Sequence, residues 1–218
     1  MPYVLAVSGL KDSGKTTLCG ELLERLQKRG YALGYVKHSS HDLSSPENTD
    51  TGKIRARHIP VAHCSSGAVH LEFEDPPSLE LLLVQCFPEA DLVLLEGGKS
   101  LSLPRIWVGP PDTVPSEVKG IIGYWNRFQE DLGDSLEYGA GGEDRLTERI
   151  ERLLLSQKKE SLELFLDNKK LPLKDFVGDF IAGGIRGMLG SLKGYSPDFS
   201  GRIALFLKKG EDSEKETL

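Results

Sequence analysis

The eight residues from Gly9 to Thr16 constrain this chain more than any other stretch. They match the pattern G-x-x-x-x-G-K-[ST] at every fixed position. The apolar run Tyr3 to Ser8 precedes them, and leucines at helical spacing follow. The sequence therefore predicts a strand, a tight glycine turn and a helix, an arrangement that points backbone N–H groups at an anion.

The same pattern gives the side chains of the loop their expected roles. Lys15 is expected to reach the β- and γ-phosphates of a nucleoside triphosphate as a catalytic group, and the Thr16 hydroxyl to join the shell of a Mg²⁺ ion. A glycine turn that merely caps the helix is the alternative, but a chance match has a probability of only about a few per cent. Further phosphate-loop residues expected to bind the nucleotide are Gly9, Lys11, Asp12, Ser13, Gly14 and Thr17.

A second acidic ligand is expected at the end of another buried strand. Asp91 precedes the apolar run Leu92 to Leu95, and Glu96 follows it. Because ligands of open parallel sheets bind at the carboxyl ends of the strands, Glu96 is the better candidate for the metal or the attacking water. Gly97 is expected beside the nucleotide. The alternative for Glu96 is a solvated carboxylate in a turn.

The order of elements predicts an α/β, P-loop NTPase-type three-layer fold with a mixed, mostly parallel sheet of about seven strands. The Gly- and acid-rich stretch 131–144 is expected to be a border before a closing helix at 146–155, within a nucleotide-binding domain of residues 1–157. The strands are expected at residues 3–8, 32–37, 60–64, 69–73, 92–95, 105–108 and 120–125.

The C-terminal part has a different pattern. A strand (162–166), a helix (174–193) and a last strand (202–207) predict a small β-α-β module over residues 158–209, followed by a charged, disordered tail at 210–218. The helix contains five glycines, each costing about 1 kcal/mol relative to alanine. Close backbone contact with the sheet or with a partner is therefore expected there.

Composition excludes several classes of protein. The net charge of −6 gives no global attraction to nucleic acid or to an anionic membrane. No apolar run reaches the length of a membrane span and no signal peptide is evident, so a cytoplasmic protein is expected. Cys19, Cys64 and Cys86 form no CxxC pair, and small buried hydrophobic positions are expected for them.

Three segments together resemble the molybdopterin-guanine dinucleotide biosynthesis protein B (MobB) family, over about residues 3–125. They are the phosphate loop, the stretch 36–42 after the second strand, and the stretch 91–97 with the following Pro104-Arg105-Ile106. The resemblance implies a GTP-binding, weakly hydrolysing homodimer. Such proteins assist the nucleotidyltransferase that attaches GMP to molybdopterin, so the implied ligands are GTP and Mg²⁺, and the implied partners are that guanylyltransferase and molybdopterin. The C-terminal module resembles an extension that some members carry.

The resemblance also suggests site residues outside the phosphate loop. Lys37 and His38, with His41, would form a cationic loop for a phosphate, the alternative being a solvated polar loop. Asp50 would approach the metal, because residues 48–51 look like a Lys-Asp-Ser segment of the family. A separate, weaker possibility is a metal site built from His38, His41, His63 and Cys64.

Guanine specificity and two rival functions stay open at this point. No N-K-x-D signature follows a suitable strand, and residues 124–127 are a candidate base pocket. A small-molecule kinase would need a lid with arginines, for which Arg55 and Arg57 are the available pair. A nucleotide-switched docking protein could instead use the glycine-rich helix near Gly183.

Overall fold

A computed structural model describes residues 1–39, 43–73, 75–131, 133, 136–156, 162–196 and 203–205. These residues contain ten strands: β1 (Tyr3–Gly9), β2 (Leu33–His38), β3 (Val61–Cys64), β4 (Val69–Glu72), β5 (Leu92–Gly97), β6 (Arg105–Val108), β7 (Ile121–Glu130), β8 (Glu137–Ala140), β9 (Leu164–Leu166) and β10 (Lys169–Leu171). They also contain five α-helices: α1 (Lys15–Lys28), α2 (Asp50–Arg55), α3 (Leu79–Cys86), α4 (Glu143–Leu155) and α5 (Asp175–Leu189).

The centre of the molecule is a six-stranded sheet in the order β2-β5-β1-β6-β7-β8. Every neighbouring pair in it is parallel, so all six strands end at the same edge. The predicted α/β fold with a mostly parallel sheet is confirmed. The site described below lies at the carboxyl edge of this sheet, as expected for an open parallel sheet.

Two details of the predicted sheet were wrong. The strands expected at 60–64 and 69–73 pair with each other as the antiparallel hairpin β3–β4 instead of joining the sheet. Their side chains are mostly exposed, which suits a surface hairpin and not a strand buried on both faces. The stretch 131–144, expected to be a border, contains β8, the sixth strand of the sheet.

Two apolar layers cover the two faces of the sheet. On one face α1 and α4 pack against β1, β5 and β6, and on the other α3 packs against the alternate residues of β1 and β5. Leucines at every fourth position of α1 (Leu18, Leu22 and Leu26) are fully buried, as their spacing predicts. Each such side chain contributes about 1.5–3 kcal/mol of burial free energy.

The cysteines divide between core and surface. Cys19 of α1 is buried, and burial raises the pKa of its thiol to about 12. Cys64 and Cys86 are exposed, so the expectation of burial was wrong for these two. Within the described residues no helix has the length and apolar character that a membrane span needs.

The C-terminal module is described as a hairpin followed by a helix. Asp167 and Asn168 both have positive φ values and join β9 to β10, as two-residue hairpin turns require. Residues 203–205 lie outside regular structure, so the expected last strand is absent there; residues 202, 206–207 and the tail at 210–218 lie outside the described residues. The expected domain boundary at 157 also lies outside them and stays a prediction.

The glycines of α5 do not contact the sheet. A Cβ atom built on Gly178, Gly183, Gly184 or Gly187 would meet nothing within 4 Å. The expectation that these glycines allow close packing on the sheet was therefore wrong, while a contact with a partner stays a prediction.

Candidate nucleotide-binding site

The predicted phosphate loop connects β1 to α1. Two of its residues, Asp12 and Gly14, have positive φ values of 59° and 99°, so the chain curls tightly before the helix. No side chain in the described part of the chain caps the N-terminus of α1. The first N–H groups of the helix therefore have no side-chain acceptor, which is the condition that lets a helix N-terminus bind an anion.

The loop has room for glycine alone at its first position. A Cβ atom on Gly9 would lie 2.5 Å from the Val108 carbonyl oxygen and 2.7 Å from Ser13 Oγ, so any other residue would collide with the loop or with β6. Ser13 Oγ is itself buried and has no hydrogen-bond partner among the described residues. A tight loop with an unsatisfied buried hydroxyl fits a group that brings its own oxygen acceptors, such as a phosphate.

Lys15 and Thr16 begin α1 and face the loop and the sheet edge respectively. Lys15 Nζ donates a hydrogen bond of 2.5 Å to the Leu10 carbonyl and so lies across the loop. Burial lowers the pKa of Lys15, although the nearby charge of Glu96 acts in the opposite direction. Thr16 Oγ1 donates to Glu96 Oε2 at 2.9 Å.

Glu96 is the centre of a polar cluster and is not the solvated turn carboxylate considered above. It is 5% exposed, it accepts a second hydrogen bond from the Tyr35 hydroxyl at 2.7 Å, and Lys37 Nζ lies 3.5 Å from its Oε1. Lys37 and Glu96 are register partners in the parallel pair β2–β5. Burial raises the pKa of Glu96, but hydrogen bonds from Tyr35 and Thr16 and the charge of Lys37 outweigh it, so the pKa is lowered.

The donors present fit a magnesium ion. Mg²⁺ is bound in proteins by one or two hydroxyl or carboxylate oxygens and completes its shell with phosphate and water. Thr16 and Glu96 supply such a pair at the end of the phosphate loop and are the residues that would hold the ion. Asp91 lies at the opposite end of β5, where its carboxylate accepts a hydrogen bond from the Ala32 N–H at 2.8 Å.

The buried Arg105 hydrogen-bonds the end of β1 and the turn that follows β5. Its guanidinium donates to Ser8 Oγ at 3.0 Å and to the carbonyls of Gly98, Leu101 and Lys119. Ser8 in turn donates to the Gly97 carbonyl at 2.6 Å. These bonds fix the turn that follows Glu96 relative to β1, because a planar guanidinium holds several acceptors in one geometry.

Other residues expected at the site lie nearby without joining this cluster. Lys11, Asp12 and Thr17 are exposed on the loop and the first turn of α1. His38 ends β2 as the register partner of Gly97, which has a φ of 99°. The contacts of these four residues and of Gly97 with a nucleotide stay predictions.

Asp50 is the expected metal ligand that lies apart from the others. Its side chain is fully exposed at the start of α2, and its partner among the described residues is Lys53, at 3.8 Å. No hydrogen bond or ion pair in the described part of the chain joins it to Thr16 or Glu96. Its role as a ligand stays a prediction.

The histidine and cysteine metal site receives no support. His41 lies outside the described residues, His63 hydrogen-bonds Thr51 at 2.5 Å, and Cys64 is exposed. The described residues contain no group of three metal-binding side chains of the His, Cys, Asp and Glu types. Arg55, considered for a kinase lid, instead lies 3.4 Å from Glu72.

Sequence reasoning missed Tyr35 and gave Arg105 no role. Tyr35 precedes Lys37 by two positions on β2, so strand alternation places both side chains on one face. This alternation would predict a contact between Tyr35 and Glu96 only if β2 were already known to lie beside β5. Arg105 could have been noticed as a charged residue that opens an otherwise apolar four-residue strand.

Comparison with known proteins gives consistent results. The family model "Molybdopterin guanine dinucleotide synthesis protein B" (MobB) matches residues 4–119. The molybdopterin-guanine dinucleotide biosynthesis adapter protein of Haemophilus influenzae is 32% identical over 109 residues, which are 47% of this chain and 61% of that protein. The chain therefore spans less than two thirds of that relative. A Methanocaldococcus jannaschii protein named for the same role is 24% identical, over 88% of this chain and 92% of that one.

The fold is also that of solved MobB structures. The crystal structure of Bacillus subtilis MobB superposes with a TM-score of 0.51 at 24% identity, covering 72% of this chain and all of that one. At this identity the likeness concerns the fold alone. The part of this chain beyond the superposition is consistent with a C-terminal extension. Since the family model covers more than half of the 218 residues, the chain belongs to the MobB family.

Proposed function

We propose that this chain binds GTP with Mg²⁺ at the loop Gly9 to Thr16 and acts as an adapter in the attachment of GMP to molybdopterin. The observation that carries the proposal is the hydrogen bond between Thr16 and the buried Glu96 at the end of a phosphate loop, in a chain of the MobB family. The relatives named above are biosynthesis adapter proteins, which supports the adapter role.

The residues of the loop would hold the triphosphate. Lys15 would leave the Leu10 carbonyl for the β- and γ-phosphates, since a charged phosphate oxygen is the stronger acceptor. The uncapped N-terminus of α1 and the Ser13 hydroxyl would donate to the remaining oxygens. A bound Mg²⁺ would neutralise charge on the phosphates, with Thr16 and Glu96 as its protein ligands.

Glu96 suits the role of an ionised ligand. Its lowered pKa keeps it a carboxylate at neutral pH, and the Tyr35 and Lys37 contacts fix its orientation. A group held in this way is a weak proton acceptor, so we expect slow hydrolysis governed by positioning and electrostatic stabilisation. The further parts of the proposal are a homodimer in the cytoplasm and docking to the guanylyltransferase that carries molybdopterin.

Calorimetry with GTP and ATP in the presence of Mg²⁺ tests the nucleotide. We expect measurable GTP binding and weaker ATP binding, and a large loss of affinity for both nucleotides in Lys15→Ala. A clear preference for ATP would contradict the adapter proposal. Analysis of the products with a panel of acceptors extends this test, because inorganic phosphate alone agrees with slow hydrolysis, whereas a phosphorylated acceptor would identify a kinase.

Reconstitution tests the adapter role directly. The guanylyltransferase, GTP and molybdopterin are mixed with and without this chain, and the yield of the guanine dinucleotide cofactor is measured. The proposal expects a higher yield with the wild-type chain and no increase with Lys15→Ala. An equal yield in all three mixtures would contradict it.

A further inference from the structure

Arg127 lies against the phosphate loop on the side away from Glu96. A Cβ atom built on Gly14 would be 3.5 Å from Arg127 Cδ, 3.8 Å from Arg127 Nη1 and 3.5 Å from Trp125 Cζ3. Val108, the last residue of β6, is the register partner of Trp125. Arg127 therefore lies beyond the end of β6, beside Gly14 at the edge of the phosphate loop, which we call the rim of the loop.

The strand order fixes which end of a nucleotide meets this rim. Glu96 and Lys37 lie on β5 and β2, on one side of β1, whereas β6 and β7 lie on the other. On the proposed function, the terminal phosphates point to the Glu96 side, where the metal ligands are. The nucleoside is attached at the end of the triphosphate opposite the γ-phosphate, so this strand order favours an exit of the nucleoside toward β7 and Arg127.

Trp125, two positions before Arg127 on β7 and so on the same face of that strand, is itself held in place. The indole is 2% exposed, and its Nε1 donates to Glu143 Oε1 at 3.1 Å. Glu143 also lies 3.9 Å from a guanidinium nitrogen of Arg25 on α1. The helix that begins at the phosphate loop and the strand that carries Arg127 are thus joined through a buried tryptophan and a buried carboxylate.

The guanidinium of Arg127 is suited to stacking. It lies 4.6 Å from the centre of the Phe128 ring, and no carboxylate among the described residues pairs with it. A guanidinium is planar and stacks on aromatic rings and on nucleic-acid bases, which a lysine ammonium cannot do in the same way.

We propose that Arg127 contacts the purine base of the bound nucleotide by stacking, and that it does not contact the phosphates. This inference rests on the proposed function and adds a specificity-determining residue to it. A phosphate contact would need only the charge of Arg127. A base contact needs the planar group.

Two ligands and two substitutions separate these roles. The wild-type chain, Arg127→Ala and Arg127→Lys are titrated with GTP and with inorganic tripolyphosphate, both with Mg²⁺. For both variants we expect GTP affinity to fall about tenfold, as for the loss of one base stack, and tripolyphosphate affinity to stay unchanged. Arg152→Ala, which removes an exposed arginine from α4, is the matched control and should leave both affinities unchanged. Thermal unfolding of each variant checks that the fold is intact.

The possible outcomes are distinct. Equal losses for GTP and tripolyphosphate, restored by Arg127→Lys, would mean that Arg127 contacts phosphate and would overturn the inference. Unchanged GTP affinity in Arg127→Ala would overturn it as well, while leaving the proposed function intact. A wild-type chain that binds tripolyphosphate and not GTP would contradict the proposed function itself.

Discussion

Two amphipathic helices of similar length, α1 and α5, differ in what covers their apolar faces. In α1 the leucines at every fourth position are completely buried under the sheet. In α5 no residue is buried, and Phe176 and Phe180 are 77% and 74% exposed, with their rings stacked on each other at 6.4 Å. Apolar periodicity predicts a helix in both places, but it does not say what covers the apolar face.

The glycines of the two regions differ in the same way. In the phosphate loop, a Cβ atom on Gly9 would collide with its neighbours, and Gly14 has a positive φ. The glycines of α5 meet open space. Glycines therefore indicate a functional loop only where the backbone conformation or close packing requires them. In α5 their effect is to lower the intrinsic stability of the helix.

The largest effect that tests this contrast is on stability. Leu22→Ala should lower the free energy of unfolding by about 2–5 kcal/mol, because it opens a cavity under α1. Phe180→Ala, which removes a larger side chain from α5, should change it by less than about 0.5 kcal/mol. Urea denaturation of both variants measures the difference. A large loss for Phe180→Ala would show that α5 is covered by a partner or by another copy of the chain.

Nucleotide binding should depend on the phosphate loop and not on the C-terminal module. Lys15→Ala should weaken GTP binding by roughly 100-fold, the cost of removing a charged hydrogen bond of about 2–3 kcal/mol, while the fold is kept. Lys193→Ala removes an exposed cation just after α5 and should leave the affinity unchanged. Calorimetry measures both. Comparable losses in the two variants would place the nucleotide, at least in part, against the C-terminal module.

The part of the site that could be predicted from the sequence is the part whose signals are local. The phosphate loop depends on a run of eight residues, and the position of Glu96 depends on the end of one apolar strand. Both predictions need only a strand followed by a turn. The cluster around Glu96 is different, because Tyr35 meets it across the β2–β5 pair. Strand order is a property of the whole fold, and it was not available from local pattern.

The errors in the predicted sheet have physical reasons as well. Residues 137–140 contain a glycine and follow an acidic stretch, so they lack the β-branched run that identifies a strand, yet β8 forms as the edge of the sheet. The hairpin β3–β4 has the propensity of a strand pair. Propensity identifies a strand but not the strand it pairs with: β3 and β4 pair with each other, and Val69 and Leu71 on their apolar face stay exposed.

A smaller effect distinguishes the glycines of α5 from those of the loop. Gly183→Ala should stabilise α5 by about 0.5–1 kcal/mol, because the new methyl group meets nothing and the unfolded chain loses freedom. Hydrogen exchange of the α5 amides should slow accordingly. Faster exchange, or loss of a self-association seen in the wild-type chain, would instead indicate that Gly183 lies at a contact with a partner.

The segment 43–73 offers the smallest and most local test, since it is held by polar contacts where the sheet is held by apolar ones. No apolar side chain is buried in it, and its buried carboxylate, Glu72, accepts hydrogen bonds from the Ser45 hydroxyl and N–H. These bonds lower the pKa of Glu72. A carboxylate with a lowered pKa in the folded state stabilises that state above its ordinary pKa, and the stabilisation is lost as the pH falls through the folded value.

Acid should therefore loosen this segment before it affects the leucine core. Hydrogen exchange within residues 43–73 should be faster in Glu72→Gln than in the wild-type chain at pH 7, and the two should converge as the pH falls through the lowered pKa of Glu72, because the wild-type carboxylate is then protonated. Amides of β1 and β5 should show no difference between the two chains at any pH, since the described partners of Glu72 (Ser45, Arg55 and His70) all lie within the segment 43–73. A difference at residues 43–73 that is the same at every pH would mean that Glu72 acts through its shape and not its charge, and the contrast between a polar and an apolar region would then fail for this segment.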